Sequence, residues 1–279
     1  MSVKIVTDSD ADVPSRLAKE LDITVIPQYV IFGSTSYRSG VDFTDDEFYQ
    51  KLLNGPVFPT TSQPTLKDFT DVFANLAREA DGIISIHVSS KLSGTSRAAE
   101  QARKESKPGC PFEIIDSQNI SIAMGLIVIA AARMAKAGKG LSEIVAATNG
   151  MVSRTKLLML FGTLEYLAKG GRIGKAKSLL GSMLNVKPIL SLKDGEIIPV
   201  TKVNSRSKGT AKLLDFVSNT KDIEEVGICY TTLRDEANDI ASRVSAISKA
   251  NIIITQVGPG LGAHGGPGGM GIALMAKSQ

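Results

Sequence analysis

The chain has 279 residues, 43% of them apolar, a net charge of +4 and no low-complexity tract. That length buries a substantial core as one large or two modest domains. So slight a charge surplus, with no arginine-rich tract and no aromatic-and-basic motif, argues against a nucleic-acid partner. Cys110 and Cys229 stand alone without CxxC or CxxH spacing, and no signal-peptide pattern opens the chain, so a reducing cytoplasm is expected and a structural metal is not.

Val3 to Thr7 reads as a strand, followed by a helix after Pro14, a strand from Val25 to Phe32 and a helix from Asp45. A helix over Leu66 to Arg78, a strand Ile83 to Val88, a helix Arg97 to Ser106, a strand Phe112 to Ile115 and a helix Ile120 to Ala137 continue the series. The apolar run Ile120 to Ala132, closed by Arg133, falls short of the roughly 20 residues that span a bilayer and reads as a buried helix. Such alternation predicts an α/β domain over residues 1–150, a largely parallel sheet with helices on both faces. Ligands bind such sheets at the carboxyl ends of the strands.

Past Gly138-Lys139-Gly140 and the helix after Leu141 the rhythm changes. A strand from Lys156 to Phe161 is followed by Val186 to Leu192 and Glu196 to Val200, which flank the hairpin signal Asp194-Gly195. A helix Ser207 to Val217, a strand Glu225 to Tyr230, a helix Leu233 to Ser248 and strands Ile252 to Val257 and Met270 to Ala276 complete the chain. The expectation is a second, mixed α/β domain over residues 151–279 with helices on one side.

The strand ends of the first half share a composition. Thr7-Asp8-Ser9, Thr60-Thr61-Ser62-Gln63, Ser89-Ser90 with Ser93-Gly94-Thr95, and Asp116-Ser117-Gln118-Asn119 each place small hydroxyl or carboxylate residues before a helix. Singly this is capping chemistry, and Asp8 and Asp116 read as caps or loop braces. Together the segments line one rim with donors suited to a carboxylate or phosphate. His87, inside an apolar strand, reads as structural; His264, crowded by glycines on both sides, reads as a ligand contact that a backbone can approach closely.

Two glycine motifs fail on context. Gly260-Leu-Gly262-Ala-His264-Gly265 fits GxGxxG, but Gly266-Pro267-Gly268-Gly269 cannot open the helix a dinucleotide site needs. Gly171-Arg-Ile-Gly174-Lys175-Ala176 has the wrong spacing for a P-loop and Ala where the metal-binding hydroxyl belongs. No nucleotide, metal or other cofactor site is therefore expected. Ser93, His264 and a carboxylate such as Asp8 supply the residue types of a serine esterase or thioesterase, without the GxSxG elbow.

Six segments resemble the DegV family, in order and across nearly the whole chain. They are Thr7-Asp-Ser-Asp-Ala-Asp-Val-Pro14, Thr61-Ser-Gln-Pro64, Ser89-Ser-Lys-Leu-Ser-Gly-Thr-Ser96, Leu164-Glu-Tyr-Leu-Ala-Lys-Gly-Gly-Arg-Ile-Gly174, Lys187-Pro-Ile-Leu190 and Gly262-Ala-His-Gly-Gly-Pro-Gly268. The resemblance implies two α/β domains with a long-chain fatty acid in a tunnel between them. It further implies a non-catalytic, lipid-binding role in which the acyl carboxylate is presented to a separate ATP-dependent fatty acid kinase subunit. The acyl phosphate is then carried toward a downstream acyltransferase of phospholipid synthesis, with at most a transient contact with a membrane surface.

Carried onto this chain, the resemblance puts the carboxylate near Thr61, Ser62, Ser93, Gly94 and His264. Arg172, Lys175 and Lys177 follow the Gly170-Gly171 turn, and Lys202, Arg206 and Lys208 lie after the second strand of the hairpin. If these segments meet beside the head group they form a basic rim, with Arg172, Lys202 and Arg206 as candidates for partner or phosphate contact and a solvated face as the alternative. Asn204 stands where the family is often basic, and Ala123 where a glycine is usual. The serine esterase remains the alternative, and a monomer is the simplest oligomeric state.

Overall fold

The structure, a computed structural model, describes residues 3–182 and 186–278. The first half runs β1 (Val3–Asp8), α1 (Ser15–Glu20), β2 (Ile23–Ile26), β3 (Tyr29–Phe32), β4 (Thr35–Arg38), α2 (Asp45–Asn54), β5 (Thr60–Ser62), α3 (Leu66–Leu76), β6 (Gly82–His87), α4 (Thr95–Ser106), β7 (Phe112–Asp116), α5 (Ser121–Lys136) and α6 (Leu141–Arg154). The second runs β8 (Thr155–Leu160), α7 (Glu165–Lys169), β9 (Lys187–Lys193), β10 (Glu196–Val203), α8 (Arg206–Ser218), β11 (Ile223–Tyr230), α9 (Arg234–Ile247), β12 (Asn251–Gln256), α10 (Pro259–Gly265) and β13 (Met270–Ala276).

The expected parallel sheet is present, in the order β2-β1-β6-β7. Strand β6 is buried along its whole length, as suits a central parallel strand: Ile83, Ile84 and Ile86 enter the core, and its two polar side chains, Ser85 and His87, hydrogen-bond to each other. Alternate residues serve opposite faces: Val6, Ile83 and Phe112 pack under α3 and α4 with Phe69 and Phe73, while Ile5, Ile84 and Ile115 pack under α5. Helix α3 starts at a capping box in which Thr65 and Asp68 exchange hydrogen bonds.

The strand expected from Val25 to Phe32 is two strands in two sheets. Pro27 has no N–H to continue the ladder, and the chain turns there, so β2 stays in the parallel sheet while β3 joins β4 and β5 in a small antiparallel sheet. Phe32, Phe43 and Phe48 close the aromatic cluster between this sheet and α2. Thr61 and Ser62 thus sit on a strand of the small sheet, not at an end of the parallel one.

The second sheet is mixed, in the order β10-β9-β8-β13-β11-β12. Its hairpin turns at Asp194 and Gly195, both at positive φ (52° and 79°), the conformation that the Asp-Gly pair favours. Helices α8 and α9 cover one face around Leu213, Ile228, Ile240 and Ile272. The other face is covered too, by α5 and α6 from the first half. Helix α5 therefore lies between the two sheets, which is why Ile122, Leu126, Ile127 and Ile129 on different sides of it are all 0% exposed.

Two close approaches hold α5 there. A Cβ on Gly125 would lie 2.5 Å from the Ala11 carbonyl oxygen, and one on Gly227 of β11 would lie 2.5 Å from the Ile122 side chain. The resulting core is continuous, joining Ile5 and Ile86 to Leu157, Met159 and Ala273. Among the described residues no helix is long and apolar enough to cross a membrane.

Candidate functional site

The carboxyl ends of β1 and β6 open onto the second sheet, and between them lies a cavity of about 140 Å³, roughly ten times the ~10–15 Å³ that holds one water. Val88, Leu92, Ile120, Met159, Phe161 and Leu261 supply apolar wall from both halves. Thr61, Ser62, Ser93, Gly94 and His264 all line it, so three segments far apart in sequence meet in one space. Arg172 lines it as well; Lys202 and Arg206 do not.

His264 lies on α10, a helix the glycine-rich sequence gave no reason to expect. Pro259 at its first turn fits a helix start, and bare backbone is required at the contacts: a Cβ on Gly262 would lie 2.6 Å from the Tyr49 hydroxyl. The imidazole Nε2 is 2.8 Å from Thr61 Oγ1, while Nδ1 is buried with no partner. Burial, and secondarily the charge of Arg172, push the His264 pKa down to about 4. The ring is neutral at pH 7. The Gly170-Gly171 turn presses against it, since a Cβ on Gly170 would lie 2.0 Å from Nδ1.

Ser93 belongs to a chain of hydrogen bonds that starts in the core. The Gln28 amide donates to Asp8 Oδ1 at 3.3 Å and to Thr95 Oγ1 at 3.1 Å, and Thr95 Oγ1 is 2.8 Å from Ser93 Oγ. Because Thr95 accepts from Gln28, its own proton can go to Ser93, which leaves the Ser93 proton for an acceptor in the cavity. Gly94, the N-cap of α4, is covered by Gln63: a Cβ there would lie 2.1 Å from Gln63 Oε1. The Ser62 hydroxyl donates to the Gln63 carbonyl at 3.2 Å.

Asp8 and Asp116 act as braces. Asp8 accepts from the backbone N–H groups of Asp10 and Val88 and lies 2.9 Å from His87 Nδ1, whose Nε2 is 2.7 Å from Ser85 Oγ. Asp116 accepts from the N–H groups of Ser90 and Gln118. With Asp8 on His87 and His264 on Thr61, a Ser93–His264–Asp8 relay of the esterase type is not formed.

Sequence reasoning singled out neither Gln28 nor Asp10. Gln28 was hidden in the supposed single strand; Asp10 was visible only as one acid in Thr7-Asp-Ser-Asp. Asp10 lines the cavity, its Oδ1 is buried without a partner, and burial followed by the charges of Asp8 and Asp12 raises its pKa well above the ordinary range, against Arg172. Among the described residues no group of His, Cys, Asp and Glu is placed to hold a metal ion.

The basic residues divide. Arg172 is exposed, with one guanidinium nitrogen donating to the Gly170 carbonyl at 2.8 Å. Lys175 pairs with Glu196 at 2.6 Å. Arg206 is turned inward: it pairs with Glu236 at 3.0 Å and donates to the Gly268 carbonyl, joining α8, α9 and the loop before β13. Lys202 and Asn204 are exposed near the end of β10, and Ala123 is fully buried in α5.

With this geometry in hand, the relatives are informative. The family model described as "Uncharacterised protein, DegV family" matches residues 2–277. A DegV domain-containing protein of Caldanaerobacter subterraneus is 36% identical over 99% of both chains. A fatty-acid-binding DegV family protein from Thermus thermophilus superposes with a TM-score of 0.92 at 32% identity, over 99% of this chain and 100% of that one. A stearic-acid-binding protein from Eubacterium ventriosum gives 0.92 at 27% identity, over 99% and 98%. Motif order, α/β architecture and whole-length similarity agree: the chain belongs to the DegV family.

Proposed function

We propose that this chain binds a long-chain fatty acid in the cavity between its two halves and presents the carboxylate to a separate ATP-dependent kinase subunit. It then carries the acyl phosphate toward a downstream acyltransferase, with no catalysis of its own. The observation that carries the reading is the convergence of Thr61, Ser62, Ser93, Gly94 and His264 on one cavity whose wall is otherwise largely apolar. Fatty acids bound by related DegV structures support it. The two free thiols, with Cys229 buried, fit a reducing cytoplasm.

The energetics divide the labour. Burying a methylene is worth about 0.8 kcal/mol, so some fourteen of them give on the order of 11 kcal/mol gross. A hydrogen bond to a charged group adds about 1.5–3 kcal/mol. The apolar wall sets affinity and the hydroxyls set register. His264, neutral at pH 7, offers a hydrogen bond but no charge; Arg172 at the exposed edge is the cation facing the head group. Phosphoryl transfer depends chiefly on placement and charge stabilisation, which such a carrier supplies to a nucleotide-bearing partner.

Native mass spectrometry of protein purified from a bacterial host tests the binding step: a fatty acid should be retained. In assays with ATP and magnesium, acyl phosphate should form only when a fatty acid kinase subunit is added. Turnover by the chain alone, or ester hydrolysis that depends on Ser93, would replace the carrier reading by an enzyme.

A further inference from the structure

The end of β1 and the turn that follows it carry three carboxyl groups, and the fold treats them unequally. Asp8 is paired with backbone N–H groups, Gln28 and His87. Asp12 accepts from the Ser121 hydroxyl at 2.5 Å and from the Gly258 N–H at 2.8 Å. Asp10 is 8% exposed, its Oδ1 is buried with no hydrogen-bond partner, and it forms part of the cavity wall. Gly260 makes room for it, because a Cβ there would lie 2.3 Å from that oxygen. Most buried polar groups in proteins are paired. Of the unpartnered buried side-chain atoms among the described residues, those of Asp10 and His264 belong to residues that line the cavity, whereas Arg206 Nη2 and Glu225 Oε2 lie elsewhere. An unpaired group in a binding wall points to a partner that arrives with the ligand.

We infer that Asp10 binds the lipid head group as an uncharged carboxylic acid, donating its proton to the fatty-acid carboxylate so that the two carboxyl groups share one proton opposite Arg172. The inference rests on the fatty-acid reading above and assigns that site a further contact. Its electrostatics balance: the pair carries one negative charge, and Arg172 carries one positive charge. Ionising Asp10 adds a second negative charge and repels the lipid. The two groups titrate as a pair, not singly.

The surroundings favour the protonated acid. Burial, then the neighbouring Asp8 and Asp12, raise the Asp10 pKa, and Arg172 opposes them. Of the groups packed nearby, Asp45 on α2 acts on Asp12, which is itself raised to about 8; Cys229 on β11 is pushed up to about 12; Tyr49 is raised; and His264 is neutral. Arg172 is the one cation among these groups.

The test compares delipidated parent protein with Asp10→Asn and Asp10→Leu, titrated with oleic acid labelled with carbon-13 at the carboxyl group. Affinity and carboxyl resonance are followed across a pH series that runs from the acid to the alkaline side of neutrality, because burial and neighbouring carboxylates raise the Asp10 pKa. The parent should lose at least tenfold in affinity toward the alkaline end, with a matching step in the resonance. Asp10→Asn, which keeps a donor but cannot ionise, should bind like the parent at the acid end and lose the step. Asp10→Leu should bind at least tenfold more weakly at the acid end. A flat parent profile, an unchanged step in Asp10→Asn, or parent-like binding by Asp10→Leu overturns the inference. Uptake of no oleic acid by any of the three proteins at any pH defeats instead the fatty-acid reading beneath it.

Discussion

The polar groups beneath the rim and those in the cavity wall are built from the same residue types but finished differently. Beneath the rim, Asp8, His87, Ser85, Gln28 and Thr95 form one buried network in which each member has a partner. In the wall, Asp10 Oδ1 and His264 Nδ1 are buried and have none. A satisfied network fixes the fold, whereas unsatisfied groups are tolerated where a ligand completes them. The contrast predicts that substitutions below the rim act on stability and substitutions in the wall act on binding.

The largest effect should come from Asp8→Ala, which strands the N–H groups of Asp10 and Val88 together with Gln28 and His87. Urea unfolding should show a loss on the order of 3–5 kcal/mol. A loss under about 1 kcal/mol, typical of a surface change, would erase the contrast. Next is Ser93→Ala, expected to weaken fatty-acid binding by about 1.5–3 kcal/mol while the unfolding midpoint stays near the parent's. Equal affinity for both proteins would remove Ser93 from the head-group contacts.

Stability against pH sharpens the comparison from both sides. His264 falls from an ordinary 6.5 to about 4 in the fold, so the unfolded chain binds more protons between those values. Stability is full above about pH 6.5 and is lost as pH falls toward 4. Asp12 is raised from 3.8 to about 8, so its contribution is full at acid pH and is lost as pH rises through 8. Thermal melts of His264→Gln should show a shallower acid limb, and melts of Asp12→Asn a shallower alkaline limb. Parallel curves for parent and variant would show that the group does not titrate as described.

The smallest effects separate the arginines. Arg206→Ala should cost about 1–2 kcal/mol of stability, because it removes the cation paired with Glu236, which keeps only the Thr210 hydroxyl as donor, and the donor to the Gly268 carbonyl. Arg172→Ala should change stability by no more than about 0.5 kcal/mol. It should slow kinase-dependent phosphorylation and lessen its sensitivity to salt, as removal of a rim charge does. Matched melting and phosphorylation assays distinguish the two; a stability loss in Arg172→Ala as large as in Arg206→Ala would contradict their assignment to different regions.

Much of this was legible in the chain itself. Periodicity located the parallel strands, and Asp194-Gly195 marked its hairpin, because both signals are local. The same strand-end composition that flagged Thr61, Ser93 and Gly94 also flagged their shared rim. What escaped notice depended on distant partners. The small sheet built on β3 was concealed by the apolar run across Pro27. The inward turn of Arg206 is set by Glu236, thirty positions later in sequence, and nothing in its own neighbourhood distinguishes it from Lys202. Helix α10 packs through bare backbone, since Tyr49 and Asp10 leave no room for side chains at Gly262 and Gly260, and neither partner is near it in sequence.

A crystal structure of the protein with a bound long-chain fatty acid tests the central claim most directly. The acyl chain should lie between the two sheets against Met159, Phe161 and Leu261, with its carboxylate within hydrogen-bonding distance of Ser93 Oγ and of the Thr61–His264 pair. A chain lodged outside this cavity, or a head group remote from Ser93, Thr61 and His264, would contradict it.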